Sequence, residues 1–105
     1  MPKYPQPEGI TAPKLHWSLI KVLHKGDPED YSIAIGKWDN ESCLALRWNA
    51  CEGRPIGNPQ SRGLPTWFIV PNPLVDPILG TLDSDVQAFA RNFLPVQSVK
   101  SQRRA

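Results

Sequence analysis

The distribution of proline limits what this chain can fold into more than any other feature. Twelve prolines stand at positions 2, 5, 7, 13, 28, 55, 59, 65, 71, 73, 77 and 95. Each fixes φ and removes a backbone donor, so long helices are excluded from most of the chain. What remains between the prolines has to be strand, turn and one well-placed helix.

The strands are read from period-two alternation. In Leu15 to Leu23 (LHWSLIKVL) Leu15, Trp17 and Leu19 alternate with His16 and Ser18, and then Ile20 and Val22 take over the other parity. A switch of this kind predicts a strand with a bulge near Leu19 and Ile20. After the turn-forming run Lys25 to Asp30, Tyr31, Ile33 and Ile35 alternate with Ser32, Ala34 and Gly36. Trp38-Asp39-Asn40-Glu41 then offers residues that tolerate a left-handed backbone, and Leu44, Leu46 and Trp48 follow at period two. The pair predicts an antiparallel hairpin. Thr66 to Val70 (TWFIV) predicts a short buried strand ended by Pro71 and Pro73.

Between these strands lies Asn49 to Pro65 (NACEGRPIGNPQSRGLP), with three glycines, three prolines and little apolar content. It is expected to be a long loop, and structureless loops beyond about 12–15 residues inside a compact domain tend to be functional or mobile. Leu74 to Leu79 is apolar but broken by Pro77, and allows a single helical turn with that proline at its start. One good helix is expected over Ser84 to Leu94, where Val86, Phe89, Ala90, Phe93 and Leu94 follow helical spacing, Asp83 or Ser84 caps the start and Pro95 stops it.

The expected fold is therefore α+β: an antiparallel sheet of about four strands packed on one C-terminal helix, with disordered N- and C-terminal tails. The helix stripe would cover the sheet face bearing Tyr31, Ile33 and Ile35 or the one bearing Leu44, Leu46 and Trp48. At 105 residues the chain holds one domain. Its boundaries are read as a flexible Pro-rich leader over 1–13, a single domain over 14–96, and a flexible basic tail over 97–105 carrying Lys100, Arg103 and Arg104.

Composition narrows function mainly by exclusion. Twelve Lys and Arg against ten Asp and Glu leave a net charge of +2, so bulk charge does not announce a nucleic-acid binder. Cys43 and Cys51 are too few for a disulfide framework, and no Cys/His pairing has zinc spacing. No stretch approaches a membrane span and the N-terminus lacks a signal-peptide run, so a cytoplasmic location without membrane is the expectation. His16 and His24 sit eight apart on or beside one strand and cannot share a metal from it. Ser61-Arg62-Gly63 is no nucleophile elbow, and no phosphate-cradling loop occurs. With no catalytic constellation and no metal or cofactor motif, a binding module is favoured over an enzyme.

The segment richest in recognition chemistry is Arg47 to Trp67. It gathers Arg47, Arg54 and Arg62 against the lone acid Glu52, interleaves Asn49, Asn58 and Gln60, and is bordered by Trp48 and Trp67. Guanidinium groups contact phosphate, amides read base edges, and exposed aromatic planes stack on unpaired bases. The same residues also suit a loop that packs over the sheet edge, since Arg stacks on Trp and turns require Gly, Pro and Asn whatever the function. Two binding functions follow: nucleic acid through the loop 49–65, or a protein partner or second copy docking on that loop through Trp67, Leu64 and Ile56. The binding argument leans on Asn49 to Pro65 leaving the sheet and reaching solvent with the guanidinium groups pointing outward.

Overall fold

The computed structural model describes residues 4–27 and 30–94. Residues 28–29 of the first turn and the basic segment 97–105 lie outside the described residues. Strands β1 (Trp17–Lys25), β2 (Tyr31–Trp38) and β3 (Glu41–Trp48) form antiparallel neighbours. Residues Gln60–Ser61 (β4) and Leu64–Pro65 (β5) make a separate small hairpin, and Phe68–Ile69 (β6) joins β3, giving the sheet order β1-β2-β3-β6. Helices α1 (Asn72–Leu79) and α2 (Ser84–Arg91) complete an α+β fold.

The expected hairpin is present without a slip, from Tyr31 opposite Trp48 to Trp38 opposite Glu41. Its turn residues Asp39 and Asn40 have φ of 52° and 73°, the doubled left-handed geometry that matches the twist of adjoining strands. The expected break in β1 is also present. Register shifts fall between Leu19 and Lys21 and again between Val22 and His24, so Leu19 packs on one side of the sheet and Ile20 on the other.

The register merges two faces that the sequence left as alternatives. Ile33 pairs with Leu46 and Ile35 with Leu44, so both triplets share one face, and it is this face that the helices cover. Ile33, Ile35, Leu44, Val70, Leu79 and Ala90 are buried together there. The opposite face is built from small residues, Ala34, Gly36 and Ala45, over which Trp17, Trp67 and Ile10 pack. A Cβ on Gly36 would run into the Trp17 ring and the Ser18 carbonyl.

Two expectations about the helices need correction. Among the described residues there are two α-helices, not one: α1 spans eight residues rather than a single turn. Pro73 stands in the first turn, where N–H groups have no intrahelical partner in any case, while Pro77 lies inside the helix and not at its start. Helix α2 ends at Arg91 instead of Leu94, and Phe93 and Leu94 follow as turns bonded to the Ala90 carbonyl. Residues 7–10, next to the sheet domain, pack against it. Pro7–Gly9 forms a 3₁₀ turn, Ile10 is 2% exposed, and the Trp67 indole N–H donates to the Ile10 carbonyl at 2.9 Å. An isolated isoleucine in a Pro-rich run sufficed because the second sheet face lacked cover.

Candidate binding site

The site grows from one end of the central hairpin. Tyr31 opens β2 and Trp48 closes β3, directly opposite each other, and their rings meet edge to face with centroids 6.3 Å apart at 84°. On the other flank of Trp48 stands Asn58. The Trp48 N–H donates to the Asn58 carbonyl at 2.7 Å and the Asn58 N–H returns a bond to the Trp48 carbonyl at 3.2 Å. Residues that exchange both bonds lie directly opposite, with side chains on the same face. Tyr31, Trp48 and Asn58 therefore form one row across the face, and Ile33, Leu46 and Phe68 form the next.

The helices cover the far end of this face and leave this end open. A cavity of about 500 Å³ lies over the two rows, with Pro59 at its rim and Ile78 and Thr81 on its helix side. Trp48 is 52% exposed and Phe68 53%, so both present ring surface to whatever enters. Tyr31 is braced from behind by His24, whose ring centroid is 5.1 Å from its own.

Arg54 stands beside this floor. A turn with reciprocal bonds between Cys51 and Arg54, at 2.9 and 3.0 Å, sets its guanidinium carbon 5.6 Å from the centre of the Trp48 ring. Its Nε and one terminal nitrogen are buried without a hydrogen-bond partner among the described residues. The indole face, rich in π density, compensates part of that.

Arg47 overturns the expectation of three outward guanidinium groups. It is 3% exposed, because it alternates with Leu46 and Trp48 and so points to the covered face. Its guanidinium donates to the carbonyls of Thr66 and Ile56 and, at the limit of bonding, to that of Pro59 at 3.5 Å. No acid neutralises it among the described residues; three carbonyl dipoles solvate it instead. Burial pushes its pKa down to about 10, so the cation persists at neutral pH. Gly57, at φ 69°, lets the loop close over it, since a Cβ there would meet the Arg47 guanidinium and the Trp48 carbonyl. Arg47 is thus the internal strut of the loop.

Asn49 and Trp67 also turn inward. The Asn49 amide donates to the carbonyls of Gly26 and Asp27 at 3.0 and 3.1 Å and accepts from the Ser32 hydroxyl at 2.7 Å, tying the β1–β2 turn to the end of β3. Trp67 is in the second core. It therefore shares no surface with Trp48, although the two flank the loop in sequence. Gln60 and Arg62 are exposed on the β4–β5 hairpin, whose tip is Arg62 and Gly63 at φ 52° and 81°. Of the eight residues singled out, the structure brings Trp48, Arg54 and Asn58 together, leaves Gln60 and Arg62 at the surface nearby in sequence, and uses Arg47, Asn49 and Trp67 as framework. The chain matches no family model, no curated protein and no solved structure.

Sequence reading missed Tyr31 and Phe68. Both were legible in principle: the hairpin register puts Tyr31 beside Trp48, and Phe68 has the parity opposite to Trp67 within TWFIV. Among the described residues no group of three or more His, Cys, Asp or Glu side chains could hold a metal ion. No helix among the described residues is long and apolar enough to cross a membrane. Cys43 and Cys51 are free thiols. Burial pushes the Cys43 thiol up to about 11, with the nearby Glu41 adding to the rise and a backbone hydrogen bond from Trp38 opposing it.

An exposed indole, an exposed phenyl ring and a phenol around one apolar floor can hold a flat apolar surface by stacking. The adjoining guanidinium and amide add one cationic and one bifunctional polar contact at the rim.

Proposed function

We propose that this protein is a small binding module for unpaired nucleic acid, in which a base stacks on Trp48 and its phosphates meet Arg54 and Arg62. The supporting observation is the half-exposed Trp48 ring in an open row with Tyr31 and Asn58, beside a guanidinium that no acid engages among the described residues. Base–aromatic stacking contributes about 1–3 kcal/mol per base and needs no particular sequence. Inward-facing Arg47 removes one of three expected phosphate contacts, so the electrostatic share of binding is small. With two arginines available, the logarithm of affinity should fall with the logarithm of salt at a slope of about −1.4, roughly 0.7 per phosphate for single strands.

The test is a tryptophan-fluorescence titration with short single-stranded DNA and RNA at low and moderate salt. Quenching that vanishes in Trp48→Ala, with a shallow salt slope, supports the reading. Absence of any change at low salt defeats it.

A second reading rests on the floor itself. Ile33, Leu46, Phe68 and Ile78 line the cavity, and an apolar side chain from a protein partner or a second copy of this chain would fit there as well. Leu64 is exposed on the neighbouring hairpin and Ile56 half-buried, whereas Trp67 is withdrawn from that surface. A concentration-dependent dimer on a sizing column that Phe68→Ser abolishes would favour this reading. Either function suits a cytoplasmic setting in which Cys43 and Cys51 stay reduced.

A further inference from the structure

We infer that Asn58 is the specificity-determining residue of this surface and selects adenine at the base stacked on Trp48; the inference rests on the base-stacking reading above. The reciprocal backbone bonds between Trp48 and Asn58 fix the two side chains side by side on one face, with Cα atoms about 5.5 Å apart. A base lying on the indole extends past it toward one of two neighbours. On one side is Tyr31, set edge-on and closed off by its contact with the indole and with His24. On the other is Asn58, exposed, lining the cavity, its side-chain amide making no hydrogen bond among the described residues.

A carboxamide presents one acceptor and two donors in a plane. That is the complement of adenine's N6 amine and N7, the pairing in which asparagine is bidentate. Asn49, the other amide of this region close to Trp48, cannot serve, because its donors and acceptor are already engaged with Gly26, Asp27 and Ser32. Gln60 lies two residues further on and belongs to the separate β4–β5 sheet.

A second stacking position has no such reader. Phe68 is opposite Leu46, so it is the diagonal neighbour of Trp48, about 7–8 Å away between backbones. Its neighbours across the sheet, Leu46 and then Ile33, are apolar, and of the polar residues that line the same cavity Asn58 pairs with Trp48 and Arg47 is engaged with backbone carbonyls. The base on Trp48 is read by its edge, and the base on Phe68 is held by its face alone.

The experiment compares oligo-deoxyadenosine with oligo-deoxyinosine hexamers, read by tryptophan quenching in the full chain. Hypoxanthine keeps the purine stacking surface and N7 but replaces the N6 amine by an oxygen, so stacking cancels in the ratio. Wild type should prefer the adenine strand by about tenfold, the lower end of what one bidentate contact discriminates. In Asn58→Ala the ratio should fall to about one while quenching by both strands persists. In Asn58→Asp, which can accept but not donate at neutral pH, binding to adenine should weaken and to a cytosine hexamer strengthen, since a carboxylate accepts from the cytosine N4 amine. A ratio near one in wild type, or one unchanged in Asn58→Ala, overturns the inference and leaves the stacking reading standing. No quenching by any strand overturns both. Circular dichroism of each variant separates loss of the fold from loss of reading.

Discussion

The two faces of the sheet meet the same problem, a row of side chains that needs cover, and answer it differently. On one face Ala34, Gly36 and Ala45 are small, and two tryptophans with Ile10 close over them completely. On the other the residues are large, and two short helices cover only the end near Ile35 and Leu44, leaving Tyr31, Trp48 and Phe68 partly in solvent. Small residues draw aromatic rings into a sealed layer; large ones hold the helices at one end and leave a floor at the other. Tryptophan therefore does opposite work on the two sides. Trp17 and Trp67 seal the fold, and Trp48 keeps about half of its surface in solvent.

The widest separation expected between the faces is in stability. Trp17→Ala and Trp67→Ala should each cost about 3–5 kcal/mol, the range for truncating a fully buried aromatic residue, measured as a drop in the urea midpoint. Phenylalanine divides the two further. Trp67→Phe orphans the Ile10 carbonyl that the indole now serves, whereas the buried Trp17 indole N–H has no partner among the described residues. Losing a hydrogen bond to a buried group costs about 1–3 kcal/mol, and removing an unsatisfied one costs nothing on that score. Trp67→Phe should be the more destabilising by about 1 kcal/mol or more, and equal losses would show that the indole bond to Ile10 is incidental.

Local signals carried the part of this fold that depends on neighbours in sequence. The hairpin was readable because alternation and the Asp39-Asn40 turn agree, and the kink in β1 because parity visibly switches at Leu19 and Ile20. Helix α2 was readable from its stripe and from Asp83, although no side-chain cap bond forms there. What escaped was set by contacts far apart in the chain. Arg47 alternates with apolar residues, and whether its side chain is wet or dry depends on the loop that brings the carbonyls of Ile56, Pro59 and Thr66 over it, nine to nineteen residues downstream. One hint was present. Ala34, Gly36, Cys43 and Ala45 are small residues sharing the face of Arg47, and a row of small side chains on a sheet implies something packed close against it.

Arg47 ties the sealed face to the open one, and removing it is the next largest effect. Arg47→Met keeps the stem's packing and leaves the Ile56 and Thr66 carbonyls without donors. Two orphaned acceptors, offset by the desolvation of a buried cation that is no longer required, should leave a net loss of about 2 kcal/mol. The loop carrying Asn58 should loosen with it, seen as faster amide exchange at Trp48 and Asn58, whose paired N–H groups report the loop's seating. Gly57→Ala should act in the same direction, because a side chain at φ 69° is strained and would displace the guanidinium. If exchange at Trp48 is unaffected in both variants, the two faces are independent and Arg47 is not their link.

On the sealed side, Cys43 gives an alkaline signature. Its thiol is raised from 9.0 to about 11, so the fold favours the protonated form. That contribution is complete below pH 9 and is lost as pH rises from 9 to about 11. Because the thiol is only partly buried, the contribution is about 1 kcal/mol. The stability of wild type should fall more than that of Cys43→Ala between pH 9 and about 11, the window between the unfolded and the raised thiol pKa. Parallel curves would mean that the thiolate is solvated in the folded chain and that this face is less closed than Trp17 and Trp67 make it.

The smallest stability effect belongs to the residue with the largest expected effect on binding. Trp48→Ala removes a ring that is already half in water, so its burial contributes a fraction of the ~2–3 kcal/mol of a fully covered aromatic. It also forfeits the edge-to-face contact with Tyr31 and the guanidinium contact with Arg54, each about 0.5–1 kcal/mol at an exposed site. Freeing Arg54 returns its buried nitrogens to solvent, which opposes those losses. The net change should be about 1 kcal/mol or less, and Phe68→Ala should be similar. If Trp48→Ala costs as much as Trp67→Ala, the indole is a structural member like the other two. The open end of the sheet would then be an unfinished core, and the stacking surface proposed on it would have no free ring to offer.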